Sequence, residues 1–411
     1  MTPTLPRRTV LHGGAVFDPR SLTVADADVV IEDGRFVDVG SGLDGDESID
    51  VSGRTLLPGM FDCHTHVVME HFDYLRILTE PFSMQFFYAV KALRQTLDLG
   101  ITTVRDAWGA DAGVKAAVER GLVAGPRLRI TVSMVAQTGG HADPWSLCGA
   151  VLPILPEHPG RPSGVVDGPD NLRRVVRELI RAGADGIKVA ASGGVLSLNT
   201  DPHLPQLGED ELTAIVDEAA AAGRWVMAHC HSAAGAKNAV RAGVRSIDHG
   251  SYLNEEVVAL MAERGTWLVP TLLAAQGVID SAAAGTQMPA GILEKAEEAA
   301  AHAKNSCRLA VDADVKVAMG TDCPVSPHGT NLREIQLMAD AGLGPARALH
   351  AATLSAAELL RVDSELGSIE PGKRADVVAV TGDPLDLDDY ASRVERVWKD
   401  GVLVTDATTR L

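Results

Sequence analysis

The sequence predicts an α/β fold, a (β/α)8 TIM barrel with a small composite β-sandwich domain made from both chain ends. Three observations carry this. Between residues 58 and 362, short apolar runs alternate with amphipathic helical stretches, eight times over. Both ends of the chain read instead as short strands joined by tight turns. And 411 residues suffice for one large domain plus a small one. The boundaries drawn are 1–57 for the first part of the sandwich, 58–362 for the barrel and 363–411 for the second part.

Taken in order, residues 10–17 read as one strand and 27–31 as the next. Asp33-Gly34 separates VVIE from RFVDVG, a strong two-residue hairpin signal. The barrel strands fall at 60–66, 102–107, 128–134, 186–190, 225–231, 246–249, 266–271 and 315–320. Helical patterns lie between them, such as NLRRVVRELIRAG and EDELTAIVDEAAAAG. Several end at Gly100, Gly183, Gly223 or Gly243, the usual C-terminal glycine stop. The last segments, GSIEPGKRADVVAV and RVERVWKDGVLV, return to the strand pattern, with Asp400-Gly401 as a second tight turn. Barrel termini lie close in space, which brings the two ends together.

Two stretches break the alternation. Residues 137–171 follow the third strand and hold six prolines and six glycines. About 35 residues is too long for a simple connector, so a functional or mobile role is expected. Residues 72–88 hold six of the sixteen aromatics. They follow the first strand, at the end where barrel active sites lie, and suit a core, a subunit contact or an apolar substrate group.

The net charge of −18 argues against nucleic acid and anionic membranes as partners. No window approaches the roughly 18 apolar residues of a membrane helix. The first residues lack the apolar run of a secretion signal. Five cysteines without regular spacing make no disulfide framework. A cytoplasmic protein with reduced thiols is expected, acting on a small-molecule substrate as a homo-oligomer.

The chemistry concentrates at strand ends. In FDCHTHV, His64 and His66 lie two apart and share one strand face, while Cys63 points away. Lys188 closes the fourth strand in GIKVAASGG, His229 the fifth in WVMAHCHS and His249 the sixth in SIDHG. Asp322 follows the eighth in VAMGTD. A lone histidine is by default a satisfied core residue. Six potential ligands at the ends of strands that converge on one mouth are hard to obtain by accident.

PGMFDCHTH, IKVAASGG, AHCHS, SIDHG and GTD together resemble the amidohydrolase superfamily over nearly the whole chain, including ADVVAV near its end. The resemblance implies that His64 and His66 bind one divalent metal, and His229 and His249 a second. It implies that Lys188, carboxylated by carbon dioxide, bridges the two ions, and that Asp322 binds the first and shuttles the proton. Elementary chemistry asks for the same. A plain lysine is cationic near neutral pH and repels a metal, whereas its carbamate is an anion with two oxygens. Imidazoles with carboxylate-type oxygens suit zinc, with manganese and cobalt as alternatives.

ASGGVLS, TGGHAD and SPHGTNLRE are most similar to the branch holding Xaa-Pro and related dipeptidases and ochratoxin-type amidases. His141, in the long third loop, is the candidate for polarising the substrate carbonyl. His231, Tyr252 and His328, close after or on strand ends, are the candidate substrate contacts. His229-Cys230-His231-Ser232 departs from the His-Ala-His-Gly usual in a dipeptidase, which keeps the ligand but loosens the inference to one substrate. The resulting expectation is metal-dependent hydrolysis of an amide C–N bond in a dipeptide or N-acyl amino acid. Ureas, carbamates or esters on the same site are the alternative, and a non-catalytic protein of this fold is a third reading.

Overall fold

The computed structural model describes residues 8–146, 148–286 and 288–409. The start of the chain, on which the leader reading rests, lies outside these residues, as does the side chain of Tyr74. Two parallel sheets form the centre. One has three strands, in the order Arg127–Ile130, Ile101–Asp106, Met60–Thr65. The other has five, in the order Met134–Val135, Gly186–Ala190, Trp225–Ser232, Ser246–Tyr252, Trp267–Val269. Backbone bonds link the two. Asp185 N–H donates to the Ile130 carbonyl at 2.8 Å. On the far side, the predicted eighth strand is an extended segment held by single bonds. Leu268 N–H reaches the Lys316 carbonyl at 2.9 Å, and Cys63 N–H reaches the Met319 carbonyl at 2.8 Å.

These strands are buried along their whole length, as near-continuous apolar runs require when helices cover them. The helix Pro169–Arg181 shows how the cover is made. Leu172, Val175, Val176 and Leu179 recur at helical spacing and are all buried. Where the link from strand to helix is short, the chain caps the helix at once. Ser232, the last residue of its strand, accepts from Gly235 N–H at 3.0 Å. The glycine stops hold: Gly183 and Gly243 sit at φ +99° and +94°, a region closed to most side chains.

The chain ends form two further sheets. The six-stranded one interleaves both termini, because Arg54–Pro58 pairs antiparallel with Val377–Thr381. The four-stranded one contains Thr9–His12, Asp28–Glu32, Arg35–Gly40 and Glu47–Asp50. Leu11, Ile31 and Phe36 from it join Leu56, Val377 and Trp398 from the other in one buried cluster. Both tight turns are as read, with positive φ at Asp33-Gly34 and at Asp400-Gly401.

Two expectations fail. The run 128–134 is not one strand: Val132 turns at φ +67°, and Arg127–Ile130 joins the three-stranded sheet while Met134–Val135 joins the five-stranded one. Residues 10–17 are not one strand. Gly13 turns at φ +80°, and Thr9–His12 enters the four-stranded sheet while Ala15–Asp18 enters the six-stranded one. At Gly14 the chain passes so near Val51 and Arg54 that a Cβ would stand 2.9 Å from the Val51 carbonyl oxygen.

Candidate metal centre

His64 ends the strand Met60–Thr65. Its Nδ1 donates to Asp248 at 2.7 Å, leaving Nε2 beside Lys188 Nζ at 3.1 Å and the Asp322 carboxylate at 3.3 Å. The other histidines repeat this division of labour. Nδ1 of His66 donates to the Trp108 carbonyl at 2.9 Å, and Nε2 of His229 lies 3.2 Å from the Gly193 carbonyl. Nδ1 of His231 meets Ser251 Oγ at 2.8 Å, and Nδ1 of His249 meets Thr271 Oγ1 at 2.6 Å. One nitrogen of each ring is anchored outside the group, and the second nitrogens of His64 and His66 face Lys188 and Asp322 inside it. This is how ligating imidazoles are oriented.

The rings converge. One ring nitrogen from each of His229, His231 and His249 lies within 4.8 Å of the others, as do donor atoms of His64, His249 and Asp322. His231, read from sequence as a substrate contact, thus stands as close to the group as His229. Two members sit on strained backbone, His249 at φ +77° and Asp322 at φ +59°. Strain of this kind costs about 1–3 kcal/mol per residue and persists where the surroundings over-determine it.

The electrostatics suit a cation. Burial drives the imidazoles of His229 and His249 well below their ordinary pKa, so both are neutral donors near pH 7. Burial works against ionisation of Asp322, but His64 and His66 more than offset it and hold the carboxyl well below the usual range. Burial opposes charge on His66 too, yet Asp322 at 3.0 Å raises it, so the two form one coupled pair. Beneath His64, Asp248 is held down at about 2: burial is outweighed by Arg105 at 2.8 Å and by His64 itself. Lys188 is buried and makes no ion pair among the described residues, and burial lowers its ammonium to about 8.

An amine with no acid partner, packed against an imidazole nitrogen, is an unfavourable resident. The same nitrogen carrying a carboxyl group would be a bridging anion. Five anchored imidazoles, one ionised carboxylate and this lysine therefore fit a divalent-metal centre, with zinc favoured by the donor set.

These residues form the floor of a cavity of about 230 Å³. Its walls come mostly from the two longest links, completed by Trp108, by residues between 270 and 278 and by the helix Ile292–Asp312. Residues 140–146 and 152–165 descend from the third-strand run, and 195–200 from the run after the fourth. His141 lies on this wall. Its ring stacks on His229 at 4.1 Å between centroids, its Nδ1 bonds Ser197 Oγ, and its N–H donates to Gln206 Oε1 at 3.0 Å. The ring lies over Gly194, where a Cβ would stand 2.1 Å from it. Burial pushes its pKa down to about 3.

The other two sequence candidates stand apart from the cavity. His328 is buried, and its Nε2 donates to the carbonyls of His66 and Met69 at 3.3 and 3.2 Å. It braces the first-strand link. Tyr252 is half-buried and stacks on His203 at 4.0 Å, away from the lining. Among its described side chains, the aromatic segment contributes only Phe72. Phe82 and Phe86 pack on His158 instead. The apolar wall comes from residues that no periodic pattern marked, among them Trp108, Trp145, Ile154, Leu155 and Leu196. Cys63 and Cys230 are buried away from the centre, their thiols pushed up to about 12 by burial.

The chain matches the profile of the amidohydrolase family over residues 55–405. It is 33% identical to ochratoxinase of Aspergillus niger, over 96% of this chain and 86% of that protein. It is 27% identical to imidazolonepropionase of Micrococcus luteus, over 96% of this chain and 95% of that one. Among solved structures, a Xaa-Pro dipeptidase with methionine bound in its active site superposes with a TM-score of 0.90 at 34% identity. That match covers 97% of this chain and all of the other. The structure of A. niger ochratoxinase gives 0.85 at 30%, covering 98% and 96%.

Proposed function

This chain belongs to the amidohydrolase family and is a hydrolase, and from that premise we propose that it cleaves an amide C–N bond of a dipeptide or N-acyl amino acid. The observation that supports this most is the convergence of His64, His66, Lys188, His229, His249 and Asp322 on one cavity floor. The two parallel sheets and the 315–323 segment are read as one eight-stranded (β/α) barrel spanning 58–362. The end sheets are read as a companion β-sandwich spanning 1–57 and 363–411.

In this reading two divalent ions, zinc by donor type, are held by His64, His66, His229, His249, Asp322 and a carboxylated Lys188. His231 is the nearest reserve donor. When bound, the ions would acidify water toward neutral pKa and polarise the scissile carbonyl.

The protein's own groups do the rest. Asp322, ionised near pH 7, takes the proton of the attacking water and passes it to the leaving nitrogen. His66, whose Nε2 lies 3.0 Å from Asp322, helps hold that carboxylate in place. His141 is fixed by Ser197 and by stacking on His229, and it orients the acyl group from the wall. The apolar side chains of Trp108, Ile154 and Leu196 exclude water and receive a hydrophobic substituent.

The test is a panel on metal-loaded protein: dipeptides, N-acyl amino acids, aryl ureas, carbamates and esters. Turnover of the first two classes above the rest supports the proposal. Turnover confined to ureas, carbamates or esters overturns the amide assignment and keeps the centre.

A further inference from the structure

The cavity holds a cation that the reading above leaves without a role. Arg161 lines it from the long third-strand run and is only 2% exposed. Its Nε and Nη2 donate to the Pro156 carbonyl at 3.1 and 2.8 Å. Nη2 also reaches Gln85 Oε1 at 2.7 Å, and Nη1 reaches the Gly109 carbonyl at 2.7 Å. Every one of these acceptors is a neutral oxygen. A guanidinium carries five N–H groups, so one, on Nη1, is left over.

No carboxylate pairs with Arg161 among the described residues. Asp106 and Asp111 act on it from farther off. Asp106 accepts from the backbone amides of Val67, Trp108 and Ala110, and Asp111 accepts from that of Val114 with its other oxygen 3.9 Å from His158 Nε2. The chain treats its other fully buried arginine differently: Arg105 meets Asp248 at 2.8 Å. Buried charges are paired as a rule, because desolvation is costly without a counter-charge. The counter-ion missing at Arg161 is therefore sought in what enters the cavity.

Its position suits that. The Gly109 carbonyl that holds Nη1 is next in sequence to the Trp108 carbonyl that holds His66. The guanidinium is thus tethered one residue from an anchor of the candidate metal centre, and three separate segments fix its plane. The lining also includes Asp143 and Glu157, like charges to an entering carboxylate.

We propose that Arg161 receives a carboxylate of the substrate, so that acids with a free carboxylate beside the scissile amide are preferred to their neutral counterparts. This rests on the amidohydrolase reading above and adds to it the group that selects among amides.

The experiment compares N-acetyl-leucine with its N-methylamide, reading acetate release by wild-type protein and by Arg161→Met, which conserves apolar volume. Wild type should favour the acid by about tenfold or more in kcat/KM, the size of one lost charge-assisted hydrogen bond. In Arg161→Met that preference should vanish through KM of the acid, with the neutral substrate within about twofold of wild type. Equal loss on both substrates would make Arg161 only a pin for the run 156–161 and overturn the proposal, as would a wild type indifferent to the charge. If Arg161→Met does not fold, Arg161→Gln serves, since it keeps neutral hydrogen bonding. If wild type cleaves neither compound, the substrate panel above decides the proposed function separately. Binding of 4-methylpentanoate against 4-methylpentanamide, by calorimetry on both proteins, then decides for Arg161. An acid preference present in wild type and lost in the variant supports the role, and an unchanged preference overturns it.

Discussion

The floor and the wall of the cavity are built by different means. The floor is made of strand ends, where each imidazole is anchored by one neighbour and the backbone is locked into ladder hydrogen bonds. The wall is made of two long links that hold each other. His141 of one bonds Ser197 and Gln206 of the other, and Lys295 reaches in from the helix Ile292–Asp312 to the carbonyls of Ser197 and Thr200 at 3.0 and 2.6 Å. Several wall side chains remain exposed, including Trp145, Leu152 and Leu198, whereas His64, His229 and His249 are buried. A floor of this kind fixes chemistry, and a wall of this kind can change its contacts without moving the floor. Substitutions in the two regions should therefore separate metal content from substrate preference.

The largest effect is expected at Lys188. Under the proposed function, Lys188→Ala should lose metal and reduce activity to background, because the anion proposed on that lysine disappears and a cavity is left in its place. Acetate or propionate supplied with zinc should restore part of both, and acetamide should not, because it brings no charge. Full metal content in the variant, or indifference to added carboxylate, would show Lys188 to be an ordinary amine. Asp322→Asn comes next. Turnover should fall by about 10²–10⁴-fold, the usual worth of a positioned acid–base group, with the circular dichroism spectrum unchanged. Near-normal turnover would place proton transfer elsewhere.

The same contrast governs what could be read from sequence. Floor residues were legible because a strand alternates with period two and ends at a defined edge, so His64 and His66 share a face by counting alone. The eight-fold alternation located the other strand ends in the same way. Proximity in sequence misled at the edges of this rule. Tyr252 is three residues beyond His249, but its ring leaves toward His203, and His328 is six beyond Asp322, but its ring turns back to brace the His66 and Met69 carbonyls. Strain at His249 and Asp322 has no signal in an imidazole or a carboxylate. The wall was illegible for a further reason. Arg161 meets Gln85 across 76 residues and His141 meets Ser197 across 56, and neither link has a periodicity from which such pairs could be inferred. Length and proline content marked the third link as special without saying which side chains it would present.

On the wall, His141→Ala should lower kcat by about 10²-fold while two metal ions stay bound, the loss expected of one donor that orients the acyl group. Metal analysis that finds an ion missing would move His141 from the wall to the floor. Gly194→Ala approaches the same residue from behind. Its Cβ would stand 2.1 Å from the His141 ring, so that ring would have to yield. Activity should fall by less than in His141→Ala, with metal content intact. If His141→Ala is inactive and Gly194→Ala is normal, the wall is softer than the hydrogen bonds of His141 imply.

The smallest effect belongs to Trp145, which is half exposed at the rim. Its backbone is held by the Asp143 carboxylate at 3.0 Å, and its carbonyl accepts from Asn199 across the gap between the two links. Among the described residues the indole makes no hydrogen bond that the substitution would strand, so Trp145→Ala should leave both folding and metal content alone. What it removes is apolar surface facing the incoming substituent. Partial exposure limits that contact to a fraction of a fully buried aromatic, on the order of 1 kcal/mol, or about fivefold in affinity. The change should therefore appear as a several-fold rise in KM for substrates with large apolar groups. It should be nearly absent for N-acetylglycine, which has no such group to place there, and kcat should be unchanged in both cases. A fall in kcat with both substrates would mean that the rim positions the scissile bond itself, and the separation between a chemical floor and a selective wall would no longer hold.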